Sequence, residues 1–258
     1  VSPTLSVKTP DVSDVCNLTS VSATFNAGSG GVGCSDVYEY RYDGAGPWTS
    51  YTPNTNINST GHTLIEIQGQ RANCSASTGC LSSAFVTLAT WNVQPQPAAP
   101  TLLVKTPNVA SVCAGTDVSA TANAGTGGFN CSDSYRYRYD GSPTWNAYTP
   151  GTNLSTTGHI SVQIQSQRGG CDPLSGCITT AWTTIASWTV EAQPSSPTLN
   201  AKSPNFTSVC EGQTVSATFY AGTGGFGCTD EYQYLYDGLP ATNVYTPGNP
   251  IVTTATLL

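Results

Sequence analysis

Tyr135-Arg136-Tyr137-Arg138-Tyr139-Asp140-Gly141 is the most strongly patterned stretch of this 258-residue chain. Strict alternation has the period of a β-strand, so the three tyrosines share one sheet face and the arginines take the other. The Asp-Gly that follows is a turn signal, because both residue types tolerate positive φ. The stretch recurs as Tyr38-Glu39-Tyr40-Arg41-Tyr42-Asp43-Gly44 and as Tyr232-Gln233-Tyr234-Leu235-Tyr236-Asp237-Gly238, each time at an offset of 97 residues. One strand has thus been written three times.

Outward from this strand the same interval holds without a gap. Cys16, Cys113 and Cys210 obey it, as do Cys34, Cys131 and Cys228, Cys74 with Cys171, and Cys80 with Cys177. Trp91 and Trp188 keep the register too. A fixed period of this kind marks a repeat architecture. It divides the chain into repeat 1 (1–94), repeat 2 (98–191) and repeat 3 (195–258), the last incomplete. Its final residue, Leu258, falls in register with Ser161 and Leu64. The counterparts of Cys171, Cys177 and Trp188 would lie further on. The expectation is that the array continues; the alternative is that a neighbouring molecule supplies the missing strands. With no Met and no signal peptide, Val1 reads as lying within a mature, secreted chain.

Within one copy, strand signals separated by Gly, Pro, Asn and Ser clusters predict strands near Thr4–Lys8, Ser20–Asn26, Val37–Asp43, Trp48–Thr52, Asn56–Ser59, Thr63–Arg71 and Phe85–Val93. No sustained helical period is present. Six or seven short strands in such a span imply an all-β, two-sheet sandwich of the immunoglobulin or fibronectin type III class. Gln94-Pro95-Gln96-Pro97-Ala98-Ala99-Pro100 and Glu191-Ala192-Gln193-Pro194-Ser195-Ser196-Pro197 join the copies as semi-rigid spacers. With strands rising ~3.3 Å per residue, the rise per copy should be about 35–45 Å, giving a linear rod.

Cys113–Thr121, Tyr137–Gly141, Tyr148–Gly151 and Ala181–Val190 together resemble the tandem Ig-like or fibronectin-III-like repeats of large bacterial surface and secreted proteins. The resemblance covers essentially the whole chain and is specific for the repeat class only. It implies an extracellular or cell-surface role in adhesion, spacing or fibre building, with other copies of the chain as partners. Repeat 3 departs from the pattern with Thr242 where the others have Trp48 and Trp145.

Four cysteines per complete copy, in small β domains, point to disulfides and an oxidising compartment. Cys16, Cys34, Cys74, Cys80, Cys113, Cys131, Cys171, Cys177, Cys210 and Cys228 are the candidates. Four cysteines allow three pairings, so connectivity stays open. Pairing within a copy is the expectation, since it needs no exact docking of domains. A bridge from Cys16 to the next copy is the alternative.

Sequons begin at Asn17, Asn58, Asn73, Asn130, Asn153 and Asn205; six among 16 Asn and 66 Ser/Thr is barely above chance. The compositional case for glycans is stronger, because a hydroxyl-rich surface with 8 basic and 15 acidic residues needs another source of hydration. Tyr40, Trp48, Tyr137, Trp145 and Tyr234 could stack sugars, making surface glycans possible partners; the alternation favours instead a tyrosine face turned to the core.

A net charge of −7 argues against a nucleic-acid partner. No apolar run approaches the roughly 18 residues of a membrane span. No nucleophile elbow, zinc-protease or phosphate-loop motif is present, so no enzyme is expected. Asp36 and Asp43, with Asp133, Asp140, Asp230 and Asp237 in register, lie ~23 Å apart along one strand, too far for a glycosidase pair. No cofactor is expected; calcium at the copy junctions, held by these acids, is the one metal possibility.

Overall fold

A computed structural model describes residues 1–236 and 243–253. In the first copy it has eight strands: β1 Thr4–Thr9, β2 Asp14–Cys16, β3 Ser20–Asn26, β4 Ser35–Tyr42, β5 Thr49–Ser50, β6 Ile57–Asn58, β7 Leu64–Ala72 and β8 Val86–Gln94. They form a three-stranded sheet, β1-β3-β6, and a five-stranded sheet, β2-β8-β7-β4-β5. Every pairing is antiparallel except β2 with β8, which run parallel with Cys16 opposite Gln94. The sequence reading anticipated seven of these strands and missed β2, three residues too short to show a period.

The second copy repeats the arrangement. β9 Thr101–Thr106, β10 Ser111–Cys113, β11 Asp117–Asn123, β12 Ser132–Tyr139, β13 Asn146–Ala147, β14 Leu154–Ser155, β15 Ser161–Gly169 and β16 Thr183–Glu191 form the sheets β14-β11-β9 and β10-β16-β15-β12-β13. In the third copy β17 Thr198–Ser203, β18 Thr214–Tyr220 and β21 Ile251–Val252 form one sheet, and β19 Gln233–Tyr234 pairs with β20 Asn243–Val244. Apart from a single 3-10 turn at Ala76–Thr78, the described residues contain no helix. The fold is all-β and consistent with β-sandwich packing.

Alternation sets the core. Val21 and Ala23 of β3, Ile57 of β6, Val15 of β2, Ile65 and Ile67 of β7, and Ala89, Trp91 and Val93 of β8 form one buried cluster fed by both sheets. Tyr38, Tyr40 and Tyr42 pack half-buried against it, so the tyrosine face turns inward. In the second copy Tyr135, Tyr137 and Tyr139 do the same around Val162, Ile164 and Trp188. The expected Asp-Gly turns are present: Asp43 and Gly44 both have positive φ, and Ala45 N–H donates to Tyr42 O at 3.2 Å.

Two buried polar groups tie the sheets together. The Tyr51 hydroxyl accepts from Ala23 N–H at 2.9 Å and has the carbonyls of Ala23 and Thr55 at 3.2 and 3.0 Å. Tyr148 and Tyr245 repeat this anchor on Ala120 and Ala217. The Trp91 indole N–H donates to Pro10 O at 2.9 Å, and Trp188 to Pro107 O at 3.0 Å. Each bond satisfies a group that burial would otherwise penalise.

Described core positions of the third copy are more exposed than their equivalents. Val209 is 37% exposed, whereas its register equivalents Val15 and Val112 are 0% and 5% exposed. Val215 and Ala217 are half-buried where Val21 and Ala23 are fully buried.

Trp188 fills the centre of the second core. Trp188→Ala should therefore lower the stability of that copy by about 3–5 kcal/mol, read as a shift in the denaturant midpoint of its transition. A shift below about 1 kcal/mol would show that the side chain is not a core element.

Candidate functional site

The site that the structure builds most completely lies between the first two copies. Three disulfides are formed: Cys34–Cys74, Cys131–Cys171 and Cys16–Cys177. The first two close loops within a copy. The third joins one copy to the next and corrects the expectation that all pairing is internal. Its cause is topological. Parallel pairing with β8 carries Cys16 to the end of the copy where the chain leaves for its neighbour. Cys34 and Cys74 flank the paired ends of β4 and β7, where Ser35 faces Ala72. The nine residues of β7, about 30 Å of strand, separate that end from Leu64. Cys16 thus meets the far end of the next copy and not of its own.

The hydrogen bonds around the bridge make it a fitted joint. Cys16 N–H donates to Ser175 O at 2.7 Å, and the Thr19 hydroxyl donates to the same oxygen at 3.3 Å. Gln96, in the linker, donates from Nε2 to Asn17 O in the first copy and to Gly176 O in the second, at 3.3 Å for the latter. Its Oε1 accepts from Ile178 N–H at 2.9 Å. Gly128 N–H reaches back to Pro95 O at 2.8 Å. Ser175 is fully buried. Gly176 has φ +70°, and a Cβ there would collide with the Thr19 hydroxyl, so only glycine fits.

Half of this joint is repeated at the second junction. Gln193 donates to Ala114 O, and Gly225 N–H donates to Ala192 O at 2.7 Å. Cys80, Cys113, Cys210 and Cys228 are free thiols. The sequence reading overlooked Gln96, Ser175 and Gly176. Gln96 and Gln193 do keep the register inside the proline linkers, as do Gly79 and Gly176, and that was the available signal.

The aromatic candidates do not converge. Tyr40, Tyr137 and Tyr234 stand edge-on to the anchoring tyrosines Tyr51, Tyr148 and Tyr245, with ring centroids 6.2–6.3 Å apart. Trp48 and Trp145 lie on the other side of the sheet. Arg41 covers Trp48 at 4.5 Å, and Arg136 and Arg138 cover Trp145 at 4.2 and 4.5 Å. Arg136 also stacks on Trp182, at 4.1 Å. Strand alternation divides the tyrosines from the tryptophans, and the tyrosines pack against the core as the alternation favours. Thr242 lies outside the described residues.

The repeated acids serve the loops. Asp36 accepts from Gly28 N–H at 3.0 Å and pairs with Arg71 at 3.1 Å. Asp133 does the same with Gly125 and Arg168, and Asp230 accepts from Gly222 N–H. Asp43 accepts from Thr63 N–H, Leu64 N–H and the Thr63 hydroxyl and pairs with His62 at 2.9 Å. Asp140 pairs with His159 at 2.8 Å. Backbone donation from Thr63, then the His62 bond, holds the Asp43 carboxyl far below its ordinary range. Asp140 is lowered mainly by His159 and by Ile160 N–H. Among the described residues no three His, Cys, Asp or Glu side chains gather as a metal group. Asp237 lies outside the described residues.

Of the sequon asparagines, Asn58, Asn73, Asn130, Asn153 and Asn205 are exposed. Asn17 is half-buried in the joint, where its side-chain oxygen accepts from Leu18 and Gly61 N–H. No helix of the described residues is long and apolar enough to cross a membrane.

No protein-family model and no curated protein matches the chain. Among solved structures, the chain aligns with a Ca2+-stabilized adhesin that helps an Antarctic bacterium reach out and bind ice, at 15% identity and a TM-score of 0.38. The alignment covers 85% of this chain and 57% of that one, so the chain spans little over half of the adhesin. A chain of a cytokine receptor complex aligns at 14% identity and a TM-score of 0.27, covering 72% of this chain and 95% of the other. Both scores are too low to establish a shared fold.

Asp140 offers a pH test of the turn. Its folded-state pKa lies below the unfolded value of about 3.9, so its stabilisation is present above that pH and is lost as pH falls through the folded value. Asp140→Ala should melt below the parent protein at pH 7, and the gap should narrow as pH drops from about 4 toward 2. A gap independent of pH would show that the carboxylate charge contributes nothing.

Proposed function

We propose that the chain is a structural protein, a stiff extracellular rod or fibre in which Ig-like (fibronectin-III-like) β-sandwich copies, 1–94, 98–191 and 195–258, stand end to end. The reading assigns it no catalysis. The observation that carries it is the Cys16–Cys177 bridge between successive copies, with Gln96 hydrogen-bonded to both sides. A flexible tether gains nothing from such a joint, whereas a spacer that must hold its direction does.

The mechanism is mechanical. Tension applied at the two ends follows the covalent path from Cys16 through the bridge to Cys177, a sequence separation of 161. Residues 17–176, with both internal disulfides, carry no load along that path. In the chain-entropy picture, a loop of this length restrains the unfolded chain by about 5 kcal/mol, and the 40-residue loops by about 4 kcal/mol each.

Three formed disulfides support an oxidising, extracellular setting. The hydroxyl-rich, charge-poor surface and five exposed sequons support glycosylation. The alternative, a surface adhesin or carbohydrate-binding module using Tyr and Trp platforms, has less support, because the tyrosines turn to the core and guanidinium groups cover the tryptophans.

Single-molecule pulling from the two ends tests the mechanism. Before reduction, the extension at full unfolding should fall short by about 530–580 Å, 161 residues at 3.3–3.6 Å each. Reduction should restore that length. Equal extension before and after reduction would refute a load path through the bridge.

A further inference from the structure

In the first two copies the tyrosine strand turns its tyrosines to the core, and the opposite faces carry opposite net charge. In the first copy that outer face holds Glu39, Arg41 and Glu66; the register equivalents in the second are Arg136, Arg138 and Gln163. Arg41 is neutralised by Glu66 at 2.7 Å, and Lys8 donates to Thr90 O at 3.1 Å. The second copy keeps both cations, as Arg138 and Lys105, but has an amide in place of the Glu66 carboxylate. Arg138 Nε donates to Gln163 Oε1 at 2.7 Å, and Arg136 donates to Gln165 Oε1 at 2.8 and 3.1 Å. Among the described residues no carboxylate pairs with Lys105, Arg136 or Arg138. Asp140, two residues beyond Arg138, is taken up by His159 and by the N–H groups of Ile160 and Ser161.

Two of these cations meet in one cleft of ≈ 500 Å³, where Lys105, Arg138, Ser161, Gln163, Ser187 and Thr189 come together. Lys105 reaches it from β9, with Nζ 4.8 Å from the centre of the Trp188 ring. Its ammonium finds no hydrogen-bond acceptor among the described residues, whereas Lys8 and Lys202 each donate to a carbonyl. Burial pushes the Lys105 ammonium below its ordinary value, as expected of a charge taken partly out of water without an anion beside it. Arg138 uses two of its five N–H groups, on Gln163 and on Ser142 O. Two half-buried cations on one hydroxyl-lined cleft form a site for an anion.

We propose that this cleft binds a uronic-acid residue of an acidic polysaccharide, Lys105 and Arg138 holding its carboxylate and Ser161, Ser187 and Thr189 its ring hydroxyls. The first copy shows which anion suits the guanidinium, since there a carboxylate of the chain itself, Glu66, bonds Arg41. The second copy, with Gln163 at that position, takes its carboxylate from outside. A sugar fits better than an acidic peptide for two reasons. The hydroxyls that line the cleft match a ring that carries hydroxyls beside its carboxylate. β15, on which Ser161 and Gln163 stand, is already paired on both sides by β12 and β16, so a peptide strand finds no backbone ladder to join there. The net charge of −7 does not oppose this, because charges more than about 8 Å away are largely screened at physiological salt. The site works through cations and hydroxyls, not through aromatic platforms, and it lies within one copy, so it does not rest on the joint.

The purified 258-residue chain, titrated calorimetrically with a galacturonic acid trimer at low ionic strength, should bind it saturably at one site per chain. Lys105→Gln, Arg138→Gln and Gln163→Glu should each weaken binding by about tenfold or more. Gln163→Glu is the decisive variant, because it installs the residue that the first copy already folds with and supplies an internal carboxylate to Arg138. Lys202→Gln makes the same charge change as Lys105→Gln but in the third copy, and should leave the affinity unchanged. Absence of saturable binding overturns the site, as does a Gln163→Glu chain that binds like the parent. An equal loss in Lys202→Gln would reduce the effect to overall charge and overturn it too. A neutral galactose trimer that binds as tightly contradicts the role of the cations. A glutamic acid trimer that binds as tightly contradicts the assignment to a polysaccharide.

Discussion

The bridge between Cys16 and Cys177 is the constraint on which the relation between copies depends, and it follows from how β2 is paired. A three-residue strand running parallel to β8 delivers Cys16 to the exit of its own copy. From there the nearest partner is the loop of the following copy. Gln96, fixed in register between prolines, hydrogen-bonds to both sides of the gap. The disulfide alone would leave two rotating bodies on a short tether. With Ser175, Gly176 and Gln96 around it, several contacts must break together before the copies can turn.

The sandwich-like units are built so that this joint rests on firm ground. Tyrosine hydroxyls at Tyr51, Tyr148 and Tyr245 pin the loops after the short strands β5, β13 and β20 to the opposite sheet. Ser59, Thr156 and Thr253 hold the turn that follows the first cysteine of each copy. In the first two copies Arg–Trp stacking occupies the polar face of the tyrosine strand, and the repeated acids serve loop donors and ion pairs. These are local duties, which explains why the same residues recur at a fixed interval.

Much of the fold could be read directly. The alternation of Tyr38, Tyr40 and Tyr42 placed a half-buried strand, Asp43-Gly44 placed its turn, and the cysteine interval placed the copies. What escaped had weaker local signals. β2 has only three residues, fewer than two periods of a strand's alternation, and without it the position of Cys16 cannot be turned into a partner. The joint itself is a property of two copies, and its hydrogen bonds run through backbone carbonyls of Ser175 and Gly176 that no side-chain motif announces. Gln96 and Gln193 stood in plain view among prolines, yet their amides acquire meaning only once the facing loop is placed. The period of two puts the tyrosines on the core face and the arginines that stack on Trp48 and Trp145 on the other.

The central claim is that the bridge fixes one copy relative to the next. Nitroxide labels at Ser50 and Ala147, register-equivalent exposed positions on β5 and β13, report the rise per copy by dipolar electron-spin measurement. Encoding the labels through non-cysteine chemistry leaves the thiols untouched. A fixed joint gives one narrow distance distribution, near the ~35–45 Å expected for one copy, that broadens when Cys177 is replaced by Ser. Distributions equally broad with and without the bridge would contradict it.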